Sequence, residues 1–262
     1  MTMALYTAAN GMQVQQLNMN VIANNLANVN TTGFKASRPE FQDLLYQNMR
    51  PAGASATTST EIPTGIQIGL GSRMAATVRL HTQGSAQNTG QPLDLMIEGD
   101  GFFEIQMPDG STSFTRAGGF NQDSTGRVVT VDGDPIVPAI TIPPDTQTIR
   151  IGLDGTVTVT QAGSQTPSQV GSVQLVRFPN PAGLEAMGHN LFRETETSGA
   201  ATRGTPTQDG FGRVSQGFLE LSNVDIVSEL VNMIVGQRAY EVNSKAIQTS
   251  DEMLRTANDV KR

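Results

Sequence analysis

The chain has 262 residues, of which 16% are charged, and its 17 Lys and Arg against 24 Asp and Glu give a formal net charge of −7. This acidic balance argues against a nucleic-acid backbone as a partner, and the lack of Cys excludes disulfides and thiolate metal sites. No apolar run approaches the ~20 residues of a membrane-spanning helix, so we expect a protein that is not inserted in a membrane.

The first 34 residues carry no Asp, Glu, Lys or Arg, yet they show the apolar periodicity of a helix. Two columns repeat every seven residues: Leu5, Met12, Met19 and Leu26, and then Ala8, Gln15, Ile22 and Val29. This spacing is typical of a coiled-coil seam. It predicts a helix from Met3 to Val29, followed by Gly33 in a left-handed C′ position.

The lack of charge in this helix bears on what it packs against. Asn and Gly11 are poor helix formers, so the segment needs a partner surface. If copies of one helix stacked side by side, any charge would face its own image; a neutral Asn/Gln helix avoids that repulsion, and its amides can hydrogen-bond laterally. The alternative is an amphipathic helix that packs only on its own domain. The pattern alone leaves both readings open.

Two segments of different residue pattern follow the first helix. Phe34 to Asn48 is interpreted as a turn and then a short amphipathic helix with Phe41, Leu44 and Leu45 on one face. The stretch from Arg50 to Gly65 is rich in Pro, Gly and Thr and has no periodicity. Because a structureless link of this length is unusual inside a compact domain, we expect it to act at an interface.

From Ile66 to about Leu221 the sequence shows short alternating segments, many of them β-branched. The candidate strands are Ala76–His81, Leu93–Glu98, Phe102–Gln106, Arg127–Val131, Thr148–Ile151, Thr156–Thr160, Val173–Phe178 and Gly217–Leu221. Asp-Gly dipeptides at 109–110, 132–133 and 154–155 predict hairpin turns, since Gly supplies the positive φ that such turns require.

The end of the chain repeats the heptad pattern of its beginning. The residues Ile226, Met233, Tyr240, Ile247 and Leu254 lie seven apart. Ser222-Asn223-Val224-Asp225 supplies an N-cap, so a long, charged helix is predicted from there to about Lys261. The predicted fold is α+β: a discontinuous terminal coiled-coil domain (1–33 with 222–262) encloses a mostly antiparallel β-rich domain (67–221), with a short helix and extended connector between (34–66).

Residues able to carry catalysis are few. His81 and His189 lie far apart without metal-ligand spacing, and we expect both on the surface. Gly69-Leu70-Gly71 precedes a strand rather than the helix of a dinucleotide loop, and Asp132-Gly133-Asp134 lacks the closing Glu of a calcium loop. We therefore predict no catalytic, cofactor-binding or metal site and no enzyme.

Several stretches resemble the bacterial flagellar rod and hook proteins. They are Ala23 to Lys35 (ANNLANVNTTGFK), Leu93 to Phe103 (LDLMIEGDGFF), Phe114 to Phe120 (FTRAGGF), Glu229 to Ile234 (ELVNMI) and Gln237 to Lys245 (QRAYEVNSK). They occur in order along almost the whole chain. The length, the 50–65 connector and the segment Leu80 to Gly84 are most similar to the distal-rod branch of this family.

The resemblance implies a structural subunit that polymerises helically into the rigid drive shaft between motor and hook and encloses the export channel. It implies as partners other copies of the chain, proximal rod proteins, the hook protein, the periplasmic and outer-membrane ring proteins, the rod cap and the export apparatus. The implied location is the basal-body rod that spans the periplasm. We expect export without a cleaved signal peptide, because the N-terminus lacks a basic n-region.

Two sets of residues follow as candidates for function. The polymer and helix interface is predicted at Leu5, Met12, Met19, Ile22, Leu26, Val29, Ile226, Leu230, Met233, Tyr240, Ile247 and Leu254. The family motif is carried by Asn24, Asn25, Leu26, Asn28, Thr32, Gly33, Phe34 and Lys35.

Three alternatives remain open from the sequence. The first is another rod or hook-family subunit. The second is a β-rich surface-binding module with the terminal helices as its stalk. The third is an enzyme, for which isolated acids such as Asp94 and Glu98 are the available residues. Half-buried strand positions explain those acids better.

Overall fold

A computed structural model describes residues 2–51, 55–57, 60–61, 63–163 and 166–259. Helix α1 (Thr2–Ala27) and helix α2 (Ile226–Asp259) flank a body of mostly antiparallel strands, which confirms the predicted α+β class. The chain divides into two compact units. We call α1, α2 and residues 37–78 the helix–ribbon unit, and residues 28–36 with 79–224 the β unit.

The two helices of the helix–ribbon unit pack against each other in antiparallel orientation. Asn25 near the end of α1 bonds Glu229 near the start of α2, whereas Gly11 lies against Asn243 farther along α2. Helix α2 begins after Asp225, whose carboxylate accepts hydrogen bonds from the Val227 amide and the Ser228 hydroxyl. The N-cap thus lies within the predicted stretch 222–225, but it is the acid Asp225 itself that caps the helix.

Helix α1 ends at Ala27, short of the predicted Val29. Tight turns replace the last helical residues, with the Thr31 amide donating to the Asn28 carbonyl and the Thr31 hydroxyl to the Asn28 side chain. Asn and Thr side chains compete with helical hydrogen bonds in this way. Gly33 has the predicted positive φ, +69°, but it lies beyond these turns rather than at the C′ position of the helix.

The rest of this unit is an antiparallel ribbon rather than the predicted short helix. Its strands are β1 (Ser37–Asp43), β2 (Tyr46–Arg50), β3 (Ser55–Thr57), β4 (Thr60–Glu61), β5 (Ile66–Gly69) and β6 (Ser72–Arg79). Strand β1 pairs with β6, β2 with β5, and β3 with β4. The predicted connector at 50–65 is thus the outer part of a hairpin, although its residues 52–54, 58–59 and 62 lie outside the described residues.

The helix predicted within residues 34–48 is wrong for an identifiable reason. A short apolar run is compatible with either helix or strand, and pairing with a distant segment decides between them. Here that partner is residues 66–79, and the paired residues of β2 and β5 lie 16 to 23 positions apart in the chain. Pro39, which cannot donate a backbone hydrogen bond, lies in a strand with one neighbour, where the missing donor is tolerated.

The β unit contains the remaining strands. They are β7 (Ala86–Asn88), β8 (Leu95–Glu98), β9 (Phe102–Gln106), β10 (Thr112–Thr115), β11 (Asn121–Gln122), β12 (Val128–Val129), β13 (Ile136–Val137), β14 (Thr146–Ile151), β15 (Thr156–Gln161), β16 (Ser168–Ser172), β17 (Leu175–Arg177), β18 (Glu185–Gly188), β19 (Leu191–Arg193), β20 (Thr202–Gly204), β21 (Arg213–Gln216) and β22 (Phe218–Glu220). Each of the eight predicted strands overlaps one of the observed strands. The three Asp-Gly turns have the expected positive φ at Gly110, Gly133 and Gly155.

Strand β9 is the centre of this unit. The largest sheet runs β18-β19-β10-β9-β17-β20, with β13 also paired to β9. Successive β9 side chains enter two different apolar clusters: Phe103 packs with Phe120 and Val214 on one face, whereas Phe102 packs with Phe178 on the other. Because both faces of β9 are buried, this strand holds the β unit together.

Candidate assembly surface

Asn25 organises the inside of the helix–ribbon unit. Its side chain is 2% exposed. It exchanges two hydrogen bonds with the Ser37 backbone, at 2.8 and 2.9 Å, and donates a third to Glu229 Oε1 at 2.9 Å. One amide thus joins α1 to both β1 and α2. Since a buried amide without these partners would be costly, Asn25 fixes how the three elements meet.

Small residues allow the two helices to approach closely. A Cβ added at Gly11 would lie 2.9 Å from Asn243 Nδ2, and one added at Gly236 would lie 3.5 Å from Met19 Cγ. Gly236 and Ser250 are the buried residues of α2 among those described. The helix contact is therefore built from glycines, amides and Met rather than from a continuous apolar seam.

The opposite face of α2 is apolar in its first half. Six exposed apolar side chains lie within an arc of about 140° on the helix. They are Val227, Leu230, Val231, Ile234, Val235 and Val242. Arg238 and Glu241, bonded at 2.9 Å, lie on this side between Val235 and Val242, and farther along Arg255 bonds Asp251 at 2.9 Å. The outer side of α2 therefore changes from apolar to charged along its length.

The outer face of α1 carries no charge at all. Its exposed positions follow a helical repeat and include Tyr6, which is 70% exposed, and Leu17. The other exposed positions are Ala4, Ala9, Gln13, Gln16, Asn20, Ala23, Asn24 and Ala27. Gln16 donates a hydrogen bond to Asn20 one turn later. This face presents amides and apolar groups but no ionic repulsion to a neighbour.

The predicted interface residues fall into three groups. Ile22 is buried, and most of the others are half-buried on or beside the helix contact: Leu5, Met12, Met19, Leu26, Met233, Ile247 and Leu254. Ile226, Leu230 and Tyr240 are exposed. Val29 is half-buried and lies in the β unit, outside α1, so it does not continue the helical column.

The second part of the family motif lies in the β unit, around a buried salt-bridge network. The Asn28 carbonyl accepts from Thr31, the Thr32 carbonyl accepts from Asn190 Nδ2, and Phe34 is half-buried. Asn24, in α1, is exposed. Lys35 is 1% exposed and bonds Glu220 Oε1 at 2.6 Å. No local pattern predicts that this lysine is buried.

Burial shapes the electrostatics of this network. It lowers the pKa of the Lys35 ammonium, and the Glu220 carboxylate opposes that shift. Burial likewise lowers the pKa of Arg116, whose Nε bonds Glu220 Oε2 at 3.0 Å and whose Nη atoms bond the Gly99 and Gly101 carbonyls. Each charged group therefore has a partner of opposite charge or a carbonyl to replace water.

The prediction that both histidines lie on the surface is wrong in part for His81, which is half-buried with both ring nitrogens out of solvent. Its ring meets Phe102 and Phe192 edge-on, with centroids 5.6 and 5.8 Å away, and neither buried ring nitrogen has a hydrogen-bond partner among the described residues. Burial and the nearby cations lower the pKa of His81 to about 4. His189 is exposed, as predicted.

The acids weighed for catalysis have structural partners. Asp94 accepts from the Thr89 hydroxyl, and Glu98 accepts from Arg213 and Ser215. Among the described residues, no group of three or more His, Asp or Glu is arranged to hold a metal ion. None of the described helices is both long enough and apolar enough to span a membrane.

A helix pair with an apolar outer stripe and an uncharged outer face presents surface suited to association with another chain. Comparison with known proteins identifies the kind of protein. Residues 5–35 match the flagella basal body rod protein family, 96–159 the flagellar hook protein FlgE/F/G D1 domain, and 215–260 the flagellar basal body rod FlgEFG protein C-terminal family.

Full-length relatives agree with these matches. The chain is 51% identical to the flagellar basal-body rod protein FlgG of Borreliella burgdorferi over 100% of both chains, and 44% identical to that of Bacillus subtilis, again over 100% of both. In Caulobacter vibrioides the identity is 48% to FlgG, over 98% of this chain and 99% of the relative, but 33% to FlgF. The chain belongs to the FlgG family of flagellar basal-body rod proteins, and it is a structural subunit of the distal rod.

Proposed function

We propose that the subunit polymerises helically with its own copies through the outer faces of α1 and α2. The observation that carries this proposal is the exposed apolar stripe on the first half of α2, from Val227 to Val242. Contiguous exposed apolar patches of this kind mark interaction surfaces. The uncharged outer face of α1 suits the same role, because a copy stacked beside it meets no like charge.

The change from apolar to charged along α2 suggests a further division of roles. The second half of the helix exposes Lys245, Glu252 and Arg255, and the charged pair of Arg238 and Glu241 lies just before it. Solvated ion pairs of this kind cost little in water. We assign this half to the wet lining of an export channel and the first half to contacts between subunits in the wall of the rod that transmits torque to the hook.

The ribbon supplies a second contact in this proposal. Leu45 is 84% exposed, and Tyr46, Met49, Ile66 and Ile68 are exposed as well. A two-stranded ribbon with both faces in water is marginally stable by itself. Packing against a neighbouring subunit would bury these side chains and stiffen the shaft.

Family membership supports a proposal for the wider setting of the subunit. As a rod subunit, the chain would contact proximal rod proteins at one end of the shaft, the hook protein at the other, and ring proteins around it, with a rod cap guiding its addition. It would reach the periplasm unfolded through the flagellar export apparatus, with its N-terminal segment intact. Cross-linking in assembled basal bodies tests each neighbour separately.

The proposal predicts that the terminal helices become ordered on assembly. Hydrogen exchange on dilute monomer should show protected amides in β9 and β10 but rapid exchange in residues 3–27, because three apolar side chains of α1 are buried in the subunit itself: Ala8, Val14 and Ile22. In the polymer, residues 3–27 should become protected. Slow exchange of residues 3–27 in the monomer would contradict coupled folding and assembly.

Substitution on the stripe tests the interface directly. Val231→Asp places a charge at a position that is 54% exposed in the subunit and buried in the proposed interface. We expect wild-type folding of the monomer but loss of rods by electron microscopy, because a buried unpaired charge costs several kcal/mol. Gln248→Asp, also exposed on α2 but outside the stripe, is the matched control and should assemble. Equal assembly of both variants would show that the stripe is not part of the interface.

A further inference from the structure

The polypeptide passes between the helix–ribbon unit and the β unit four times, after Ala27, Ala36, Val78 and Val224. Three of these passages are held together inside the β unit. Leu80 donates its amide hydrogen to the Ala36 carbonyl at 2.8 Å. The Asn223 side chain then bonds both, accepting from the Ala36 amide at 2.7 Å and donating to the Leu80 carbonyl at 2.8 Å.

A charged cluster is centred on Glu220, three residues before Asn223 in the chain. The Glu220 carboxylate accepts hydrogen bonds from Lys35 Nζ at 2.6 Å, the Gly84 amide at 2.8 Å and Arg116 Nε at 3.0 Å. The Glu220 carbonyl accepts from the Gly33 amide at 2.8 Å, and Lys35 Nζ also donates to the Thr82 carbonyl at 2.7 Å. The segments 33–36, 80–84 and 220–223 are thus tied to one another by side chains as well as by backbone.

Arg116 connects these segments to the core of the β unit. Its guanidinium bonds the carbonyls of Gly99 and Gly101 at 2.6 to 2.9 Å. These glycines lie between β8 and β9, the strand that is buried on both faces. A pull on residue 36, 79 or 224 is therefore opposed at Glu220 and passed through Arg116 to the centre of the sheet.

A buried charged cluster is not needed for stability alone. Replacing buried ion pairs by apolar residues of similar volume is often neutral or stabilising, whereas removing one partner leaves a costly unpaired charge. Lys35, Arg116 and Glu220 are 1%, 5% and 1% exposed. Unlike apolar contacts, the hydrogen bonds of the cluster are directional, so each of them fixes one chain segment at one position.

We propose that Lys35, Arg116, Glu220 and Asn223, which we call the anchor cluster, hold the chain segments that arrive from the helix–ribbon unit and deliver torque on them to the core of the β unit. The proposal rests on the proposed function of the subunit in a torque-bearing shaft. It assigns these four residues a mechanical role separate from assembly.

Hydrogen exchange on the purified full-length chain tests the anchor without reference to assembly. In Glu220→Gln, the amide of Gly84, which donates to this carboxylate, should exchange about 10- to 100-fold faster than in wild type, the range expected for loss of one charged hydrogen bond to local opening. The amides of Gly33 and Ala36 should also exchange faster, because their segment loses the charged tie from Lys35 to Glu220. Amides of β14 and β15 should be unchanged. Equal protection of the three amides in Glu220→Gln and wild type would overturn the proposal.

Glu104→Gln is the matched control. Glu104 is 2% exposed, lies in β9 of the same unit and pairs with Arg203 at 2.6 and 2.7 Å, but its partners lie away from the four passages. In cells that lack their own copy of the protein, both variants should form rods. Swimming in a medium of raised viscosity should fall with Glu220→Gln and stay near wild type with Glu104→Gln. Equal swimming of the two variants would contradict the mechanical role of the anchor cluster and leave it a contribution to core stability alone.

Asn223→Ala covers the case in which Glu220→Gln fails to fold. It removes the bridge between Ala36 and Leu80 without leaving a buried charge, and Asn180→Ala, which removes an amide bonded to Thr197 in the same unit, is its control. Impaired swimming with intact rods in Asn223→Ala alone supports the anchor, and wild-type swimming opposes it. Failure of the unmodified chain to form rods would count against the proposed function instead, and the exchange rates would still decide the anchor.

Discussion

The helix–ribbon unit and the β unit place their apolar side chains in opposite ways. Of the buried apolar side chains among the described residues, three (Ala8, Val14 and Ile22) belong to the helix–ribbon unit and all others to the β unit. Of the exposed large apolar side chains, Val131, Leu153 and Met187 belong to the β unit, and all others to the helix–ribbon unit. The β unit buries its apolar side chains within the subunit, whereas the helix–ribbon unit leaves most of its large apolar side chains exposed.

This contrast separates stability from assembly. The β unit has a closed core around β9, so it accounts for the free energy of unfolding of the single subunit. The helix–ribbon unit presents apolar and neutral faces that, in the proposed assembly, are covered by another chain. The proposed export of the unfolded subunit would benefit from this division, because helices without a core of their own do not resist unfolding.

The largest expected effect on the free energy of unfolding comes from a large-to-small substitution in the core of the β unit. Phe103 is fully buried and meets Phe120 edge-on at 5.2 Å. Phe103→Ala should lower the free energy of unfolding of the full chain by about 3–5 kcal/mol, through lost transfer energy and a cavity. Urea unfolding followed by circular dichroism measures this change. Leu17→Ala on α1, where the side chain is 37% exposed, should differ little from wild type and is the control.

Acid should weaken the β unit through His81. Because its pKa is about 4 in the folded chain against a usual 6.5, the unfolded chain binds this proton first, so stability is complete above pH 6.5 and falls as the pH drops toward 4. The loss attributable to this group is about 3 kcal/mol. His81→Leu should flatten this part of the pH profile, whereas His189→Leu, at an exposed position, should leave it as in wild type. Matching profiles for wild type and His81→Leu would show that other groups cause the acid lability.

Substitution of Gly33 tests whether the family motif is closely packed inside the β unit. A Cβ at Gly33 would lie 2.6 Å from the Ala117 backbone nitrogen, at φ +69°. Gly90 has nearly the same φ, +67°, with open space around it. Both Ala variants pay for a left-handed backbone, about 1 kcal/mol, but Gly33→Ala should lose about 1–3 kcal/mol more because backbone must move. Thermal unfolding of the two variants side by side isolates the contact.

Sequence patterns predicted the parts of this fold that local chemistry decides. The strands and the Asp-Gly turns are examples, since alternation and positive φ are local properties. The ribbon was missed because its pairing partner lies far along the chain. The helix contact was only partly predicted, because an apolar search overlooks Gly11, Asn25 and Gly236, which lie at the centre of it.

Buried polar residues were the least predictable part of the candidate site. Lys35 and Arg116 were recognised as members of motifs, but lysine and arginine are usually exposed, so nothing local indicated their burial. Their shared partner, Glu220, lies 104 residues from Arg116 and 185 from Lys35. His81 was misjudged for the same reason. Such contacts are fixed by tertiary structure, and no periodicity reports them.

The smallest expected effect on stability comes from the stripe itself, and it sharpens the comparison most. Ile234 on α2 is 58% exposed, whereas Ile97 in β8 is fully buried. Ile and Ser have similar helix propensities, so Ile234→Ser changes little besides apolar area and should lower the free energy of unfolding by less than about 1 kcal/mol. Ile97→Ser makes the same chemical change inside the core and should cost about 3 kcal/mol or more.

Assembly should rank the same two variants in the reverse order of their effect on the monomer. At a temperature where both variants are folded, Ile234→Ser should reduce the number of rods seen by electron microscopy, because the interface loses an apolar contact. Ile97→Ser should assemble in proportion to its folded fraction, since its side chain is enclosed within one subunit. A large loss of monomer stability in Ile234→Ser would mean that the subunit itself covers this face, and the division between the two units would not hold.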